Sequence, residues 1–224
     1  MQQYKALVFD FDGTLAHLTI DFDSMKRKLA ALAEGFLGER PEAPAKPALE
    51  WLDDLAAEIA EYEGRDLGLE FHCRGRLVVQ ATELDAAARG GLFPFTRDLL
   101  GELRSRGVAT GIITRNSTAA VRVVFPDVRE QCDVFLPRED VPAVKPHPEH
   151  LLEALRRMGA EPGRALMVGD HALDLETGRR AGVRTAGVAG GNMTLEELER
   201  AGADHLAQDA AGLVAGLRAA GLLA

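Results

Sequence analysis

The chain has 224 residues, of which 46% are hydrophobic and 27% charged, enough apolar content for one sizeable core with or without an insert, which excludes global disorder. A net charge of −9 without an offsetting basic stripe excludes nucleic acid and anionic membrane as expected partners. It does not exclude an anionic small molecule, because a metal ion and a few cationic groups can make one pocket positive inside a negative protein.

Met1 to Lys5 carries no signal-peptide pattern and leads straight into a strand. Cys73 and Cys132 lie far apart without metal-ligand spacing and read as reduced thiols, so a cytoplasmic protein is expected. The first element, Ala6 to Phe9, is a short apolar run that stops at Asp10-Phe11-Asp12-Gly13-Thr14, as a buried parallel strand opening into a loop would. From Asp21 to Gly90 the pattern is helical, with Met25, Leu29, Leu32 and Phe36, then Leu52, Leu55 and Ile59, at three- and four-residue spacings. Pro41, Pro44 and Pro47 separate the first two helices, and Leu77-Val78-Val79 sits inside a third.

After Gly90-Gly91, helices and strands alternate. Thr96 to Arg106 reads as a helix ended by Gly107, and Val108 to Ile113 as a strand ending at Thr114. A helix near 118–124, a strand near 133–136 and a helix from Glu149 to Met158, stopped by Gly159, follow. Next come a strand from Ala165 to Val168 ending at Gly169-Asp170, a helix over 173–181 and a strand over 185–188. Thr194 with Glu197 makes a capping box, and a strand–helix pair runs from about Asp204 to the end, where Gly216, Arg218 and Gly221 interrupt a Leu/Ala-rich stretch far too short to span a membrane. This alternation predicts an α/β fold, a three-layer Rossmann-like core with a parallel sheet, plus an inserted all-helical domain. The boundaries expected are 1–18 and 91–224 for the core and 19–90 for the insert.

Three of these strands end at a residue with obvious chemistry: Asp10 with Asp12, Thr114, and Asp170. In an open α/β sheet the carboxyl ends of the strands form the ligand crevice, so these residues should converge. Two carboxylates two apart in an extended segment share a side and repel unless a cation or proton lies between them. A third carboxylate at Asp170 suits a magnesium ion bound also by waters and a phosphate oxygen. Taken alone, Asp10 and Asp12 are equally turn residues ahead of Gly13. The glycines from Gly187 to Gly191 make no phosphate-cradling loop, no serine sits in a nucleophile elbow, and His72-Cys73 diverge on a helix.

The segment Asp10-Phe11-Asp12-Gly13-Thr14-Leu15 resembles the first motif of the haloacid dehalogenase superfamily of phosphohydrolases. Ile112-Ile113-Thr114-Arg115-Asn116 looks like its second, Lys145-Pro146 its third, and Gly169-Asp170-His171-Ala172-Leu173-Asp174, running on to Gly178 and Gly182, its fourth. The resemblance spans about Tyr4 to Gly191 and is nearest to the phosphoglycolate phosphatase-like enzymes, in which a helical cap follows the first strand. It implies Asp10 as the nucleophile that forms an aspartyl phosphate, and Asp12 as the acid and base for the leaving oxygen and the water. Dehalogenating members lack the second Asp, so Asp12 points to phosphoryl chemistry. Thr114, with Arg115 and Asn116 beside it, would bind phosphate oxygens, and Lys145 would neutralise charge on the nucleophile and the transferring group. Asp10, Asp170 and the backbone carbonyl of Asp12 would hold Mg2+, with Asp174 supporting the metal's waters or Lys145. Relatives often carry a small hydroxyl residue where His171 stands; it could tune the metal, touch substrate or be a bystander, and His147 reads as structural or solvated.

The resemblance implies a small phosphorylated substrate and a cap that closes over it and excludes water. Because the motifs handle the phosphate, selectivity is expected between Asp21 and Gly90, where Arg65, His72, Arg74 and Arg76 form a local positive cluster able to meet a second anionic group or to be a solvated helix face. A phosphosugar mutase shares every motif and stays open, as does a catalytically silent scaffold on the same fold. The substrate's identity and the oligomeric state are not written in the motifs.

Overall fold

The computed structural model describes residues 3–191 and 193–223, which divide into two compact units, Met1–Leu18 with Gly90–Ala224, and Thr19–Arg89. The first unit is built on a sheet of six parallel strands, β1 (Ala6–Phe9), β4 (Ala109–Ile113), β5 (Val134–Leu136), β6 (Ala165–Gly169), β7 (Arg184–Val188) and β8 (His205–Ala207), in the order β5-β4-β1-β6-β7-β8. β1 lies between β4 and β6, with Phe9 opposite Ile112 on one side and Val168 on the other. A central strand packed on both faces must be apolar at every position, and all of Ala6–Phe9 is buried.

Alternation divides that strand between the two layers of helices. Ala6 and Val8 join Leu151, Ala154 and Leu155 of α7 (Pro148–Met158) in one cluster, so the fully buried Leu7 and Phe9 face the other way. α7 packs beside α8 (Ala172–Arg180), while α4 (Thr96–Ser105) packs beside α10 (Ala210–Ala219). The remaining helices of this unit are short: α5 (Thr118–Val124), α6 (Val128–Gln131) and α9 (Leu195–Arg200), the last opened by the Thr194–Glu197 capping box. The α/β class with a parallel sheet, read from the alternation, is the fold observed.

Besides the 3-10 turns Arg138–Asp140 and Pro162–Arg164, two elements escaped the sequence. One is α6, a single turn. The other is a two-stranded antiparallel ribbon of β2 (Ala16–His17) and β3 (Gly91–Leu92), with Ala16 opposite Leu92. Strands of two residues carry no periodicity to read. The ribbon pairs the segment before the insert with the segment after it. Leu15 O reinforces it by accepting from Phe93 N at 3.0 Å and from the buried Thr96 Oγ1 at 2.5 Å.

The second unit is three helices, α1 (Phe22–Leu37), α2 (Ala48–Tyr62) and α3 (Arg65–Ala87). Asp21 caps α1 by accepting from Ser24 N at 2.7 Å, and Gly38 ends it in the left-handed region. Met25, Leu29, Trp51, Leu52, Leu55, Ile59 and Phe71 form its core. α2 and α3 approach closely because Gly68 and Gly75 carry no side chain: a Cβ on Gly68 would lie 2.7 Å from Ala56 O, and one on Gly75 would lie 2.3 Å from a methyl of Leu52.

Candidate active site

The candidate residues of the first unit stand beyond the carboxyl ends of strands or in the first turn of a helix, apart from Lys145, which lies in the turn ahead of α7. Asp10 follows β1, and its N–H donates to Val168 O at 2.8 Å, which ties it to the end of β6. Lys145, 2% exposed, brings its Nζ to 2.5 Å from Asp10 Oδ1 and 2.6 Å from Asp174 Oδ1. One buried ammonium thus bridges the end of β1 and the first turn of α8. Asp174 Oδ2 accepts from His171 N at 3.2 Å, and His171 Nδ1 accepts from Leu173 N, so the two residues form the capping box that opens α8. His171 is therefore the helix N-cap, and Asp174 lies against Lys145 while also contributing an oxygen near those of Asp10 and Asp170. His147 is likewise the N-cap of α7, accepting from Glu149 N.

Asp10, Asp170 and Asp174 offer carboxylate oxygens that all lie within 4.8 Å of one another. The Asp12 carboxylate stands outside this trio and accepts instead from Leu18 N at 2.8 Å. Burial raises the Asp12 carboxyl to about 7, with the Leu18 hydrogen bond pulling it back down. Burial also raises Asp10 against the lowering pull of Lys145, and Lys145 is held protonated by Asp10 and Asp174 despite its own burial. Asp10 and Asp174 thus share one ammonium, and Asp170 adds a third carboxylate within 4.8 Å of theirs. That imbalance, with hard oxygen donors only, fits a small divalent cation.

Thr114 follows β4; its N–H donates to Leu136 O at 3.1 Å and its Oγ1 accepts from Asn116 N at 3.1 Å, which folds the loop. The Arg115 guanidinium donates through Nη1 to Lys145 O and the Arg138 guanidinium through Nη1 to Arg115 O at 3.1 Å, so Arg115 braces the Lys145 loop. The Asn116 side chain is 7% exposed, and among the described residues its Nδ2 has no hydrogen-bond partner.

Gly190 and Gly191, which approach the motif residues Gly13 and Asp170, are the part of this site that the sequence did not yield. Gly13 has φ +79°, and a Cβ there would sit 2.3 Å from Asp170 Oδ2. A Cβ on Gly191 would sit 1.8 Å from the same oxygen, and one on Gly190 2.4 Å from Gly13 O. The turn after β1 and the segment after β7 thus close on the Asp170 carboxylate from two sides. A glycine pair after a strand reads only as a loop, so no local signal could have marked it.

Residues 4–182 match a protein-family profile described as haloacid dehalogenase-like hydrolase. The chain belongs to that family. Among curated relatives, the phosphoglycolate phosphatase of Salmonella typhi is 27% identical over 210 residues, which cover 85% of this chain and 83% of that protein. Among solved structures, a hydrolase from Pseudomonas syringae superposes with a TM-score of 0.63 at 24% identity, covering 96% of this chain and 98% of that one. One described as a beta-phosphoglucomutase from Thermotoga maritima superposes with a TM-score of 0.58 at 22% identity, covering 92% and 94%. These two likenesses speak to the fold alone. As a haloacid dehalogenase-like hydrolase of the phosphoglycolate phosphatase-like kind, the chain carries its motif residues on the sheet end described above.

In the helical unit, half of the positive cluster is matched by acids of the same unit. His72 Nε2 is 3.0 Å from Asp53 Oδ1, and Arg74 pairs with Glu70 at 2.5 Å while lying over the Phe36 ring. Arg65 is exposed and Arg76 half-buried. No helix among the described residues is long and apolar enough to cross a membrane, and Cys73 and Cys132 are both free.

Proposed function

We propose that this chain is a magnesium-dependent phosphatase that hydrolyses a small phosphomonoester, of the phosphoglycolate kind, through an aspartyl phosphate on Asp10. The observation that carries the reading is one arrangement: Asp10 in contact with Lys145, and two residues on a buried carboxyl poised at about 7. Asp10 Oδ would attack phosphorus in line, forming a P–O bond as the bond to the leaving oxygen breaks. Asp12, protonated in part near neutrality, would give its proton to that oxygen; as carboxylate it would then take one from the water that opens the acyl phosphate. Lys145 would offset negative charge on Asp10 and the transferring group, and Thr114 Oγ1, the Arg115 N–H and Asn116 Nδ2 would meet phosphate oxygens.

Asp10, Asp170 and the Asp12 backbone carbonyl would hold Mg2+, which when bound supplies charge neutralisation to the phosphate and the carboxylates. Asp174 would act on Lys145. Selectivity for the rest of the substrate is assigned to the inserted unit, residues 19–90, because each core motif serves the phosphate. Within the positive cluster, His72 and Arg74 pair with acids, which leaves Arg65 and Arg76 as its candidates for a second anionic group. A cytoplasmic location belongs to the same reading and is supported by the two free thiols.

The test is release of phosphate from p-nitrophenyl phosphate by wild type and Asp10→Asn, with magnesium and after chelation. Turnover lost in the variant and in the chelated enzyme is expected. Wild-type rates in a clean Asp10→Asn preparation would remove Asp10 as nucleophile, and full activity after chelation would remove the metal. Product analysis with a sugar phosphate distinguishes this hydrolase from a mutase. A wild type inert on every phosphoester of a metabolite panel would leave the scaffold reading.

A further inference from the structure

His150 stands in the first turn of α7 and is fully buried. A buried histidine is most simply a satisfied piece of the core, so its partners decide what it does. Its Nδ1 accepts from Lys145 N at 3.2 Å, and its Nε2 lies 3.0 Å from Leu136 O. A backbone N–H can only donate and a carbonyl can only accept, so the two contacts fix the ring as the Nε2–H tautomer with Nδ1 bare. Leu136 O is the same carbonyl that receives Thr114 N–H at 3.1 Å. The imidazole therefore joins the loop that carries Lys145 to the loop that carries Thr114, through one shared carbonyl. Arg115 grips the other side of the same residue, through Lys145 O.

We infer that His150 is a positioning residue, which fixes the backbone of Lys145 relative to Thr114 so that the ammonium meets Asp10. The inference rests on the phosphatase reading above and adds to it a residue outside the motif positions. Burial first, and the charge of Lys145 second, push the imidazole down to about 4, so it stays neutral and keeps a bare Nδ1 across the physiological range. An apolar side chain of similar size would fill the volume. Leu136 O would keep Thr114 N–H as its donor, and the Lys145 N–H alone would lose its acceptor.

The experiment compares wild type, His150→Leu and His150→Asn with p-nitrophenyl phosphate, each rate expressed per folded molecule. Asn can place its Oδ1 near the position of Nδ1 and so restore the acceptor for Lys145 N–H. His150→Leu should lower kcat on the order of 10- to 100-fold with a smaller change in KM, since misplacing a catalytic group costs rate before binding. His150→Asn should recover most of that loss. A purely structural His150 would lower the folded fraction and leave kcat per folded molecule at the wild-type value; that result, or an Asn variant no better than Leu, overturns the inference. Should His150→Leu not fold, nitrogen-15 NMR of the wild-type imidazole decides: a bare Nδ1 and protonated Nε2 are expected, and the opposite tautomer removes the bridge. That measurement needs no turnover. A wild type inert on the phosphoester sinks the phosphatase reading, whereas an active wild type with an unimpaired Leu variant sinks only the role of His150.

Discussion

Lys145→Met is the perturbation that the geometry specifies most fully. The Lys145 ammonium lies within 2.6 Å of two carboxylates and is 2% exposed, so its removal strands Asp10, 14% exposed at the side chain, and Asp174, 2% exposed, without their common counter-ion. Removing one partner of a buried ion pair costs about 3–5 kcal/mol, because the charge left behind is desolvated and unpaired. For a chain of this size each kcal/mol moves Tm by about 2–4 °C, so a loss of roughly 6–20 °C is expected in the metal-free protein at pH 7.5. The defect should depend on pH. Without Lys145 the Asp10 carboxyl, already raised by burial, rises further. A carboxyl raised above its unfolded value contributes stability that is full below the unfolded pKa and lost as pH rises through the folded one. The variant should therefore come closest to wild type near pH 4–5 and fall behind as the pH rises. Lys145→Met with Asp174→Asn should regain part of the loss, because one stranded charge is then gone. Urea and thermal unfolding, followed by circular dichroism between pH 4.5 and 8, measure all of this. Wild-type stability of the single variant at pH 7.5, or a double variant no more stable than the single one, would refute the account of this cluster.

Further outcomes are expected. Asp12→Asn should lose rate most strongly with poor leaving groups and should lack the alkaline limb expected of wild-type kcat/KM near pH 7, where an Asp12 acting as the acid would give up its proton; equal losses over leaving groups of widely different pKa would contradict Asp12 as the acid. Gly191→Ala places a methyl 1.8 Å from Asp170 Oδ2, which Gly13 hems in from the other side, so half-maximal activity should need on the order of 10- to 100-fold more magnesium, and an unchanged magnesium requirement argues against this packing. His150, lowered from 6.5 to about 4, contributes stability that is present above pH 6.5 and lost as pH falls through 4; the gap between wild type and His150→Leu should therefore shrink by on the order of 3 kcal/mol between pH 7 and 4 in urea titrations, and a constant gap would mean that the imidazole is not held neutral.

The sequence by itself determined what is local. Apolar runs of four or five residues, each ended by Asp10, Thr114 or Gly169-Asp170, mark parallel strands, because a strand covered on both faces tolerates no polar alternation. Three- and four-residue spacing marked the helices of the insert, and Thr194 with Glu197 marked a helix start by its own hydrogen bonds. The likeness of the motif residues to a known family could be read there too, since each motif is contiguous. Tertiary structure alone decided what depends on distant segments meeting. The ribbon Ala16–His17 with Gly91–Leu92 joins residues more than seventy apart in strands too short for any period. His171 and Asp174 turned out to cap α8, and Asp174 to hold Lys145. His72 of the positive cluster proved to be matched by Asp53 of a different helix, whereas the Glu70 that meets Arg74 lies one turn back on the same helix. Gly191 and His150 carry no pattern in the chain. Their part is set by a carboxylate, an N–H and a carbonyl that only the closed sheet brings within reach, and such contacts depend on distance in space, which residue order does not encode.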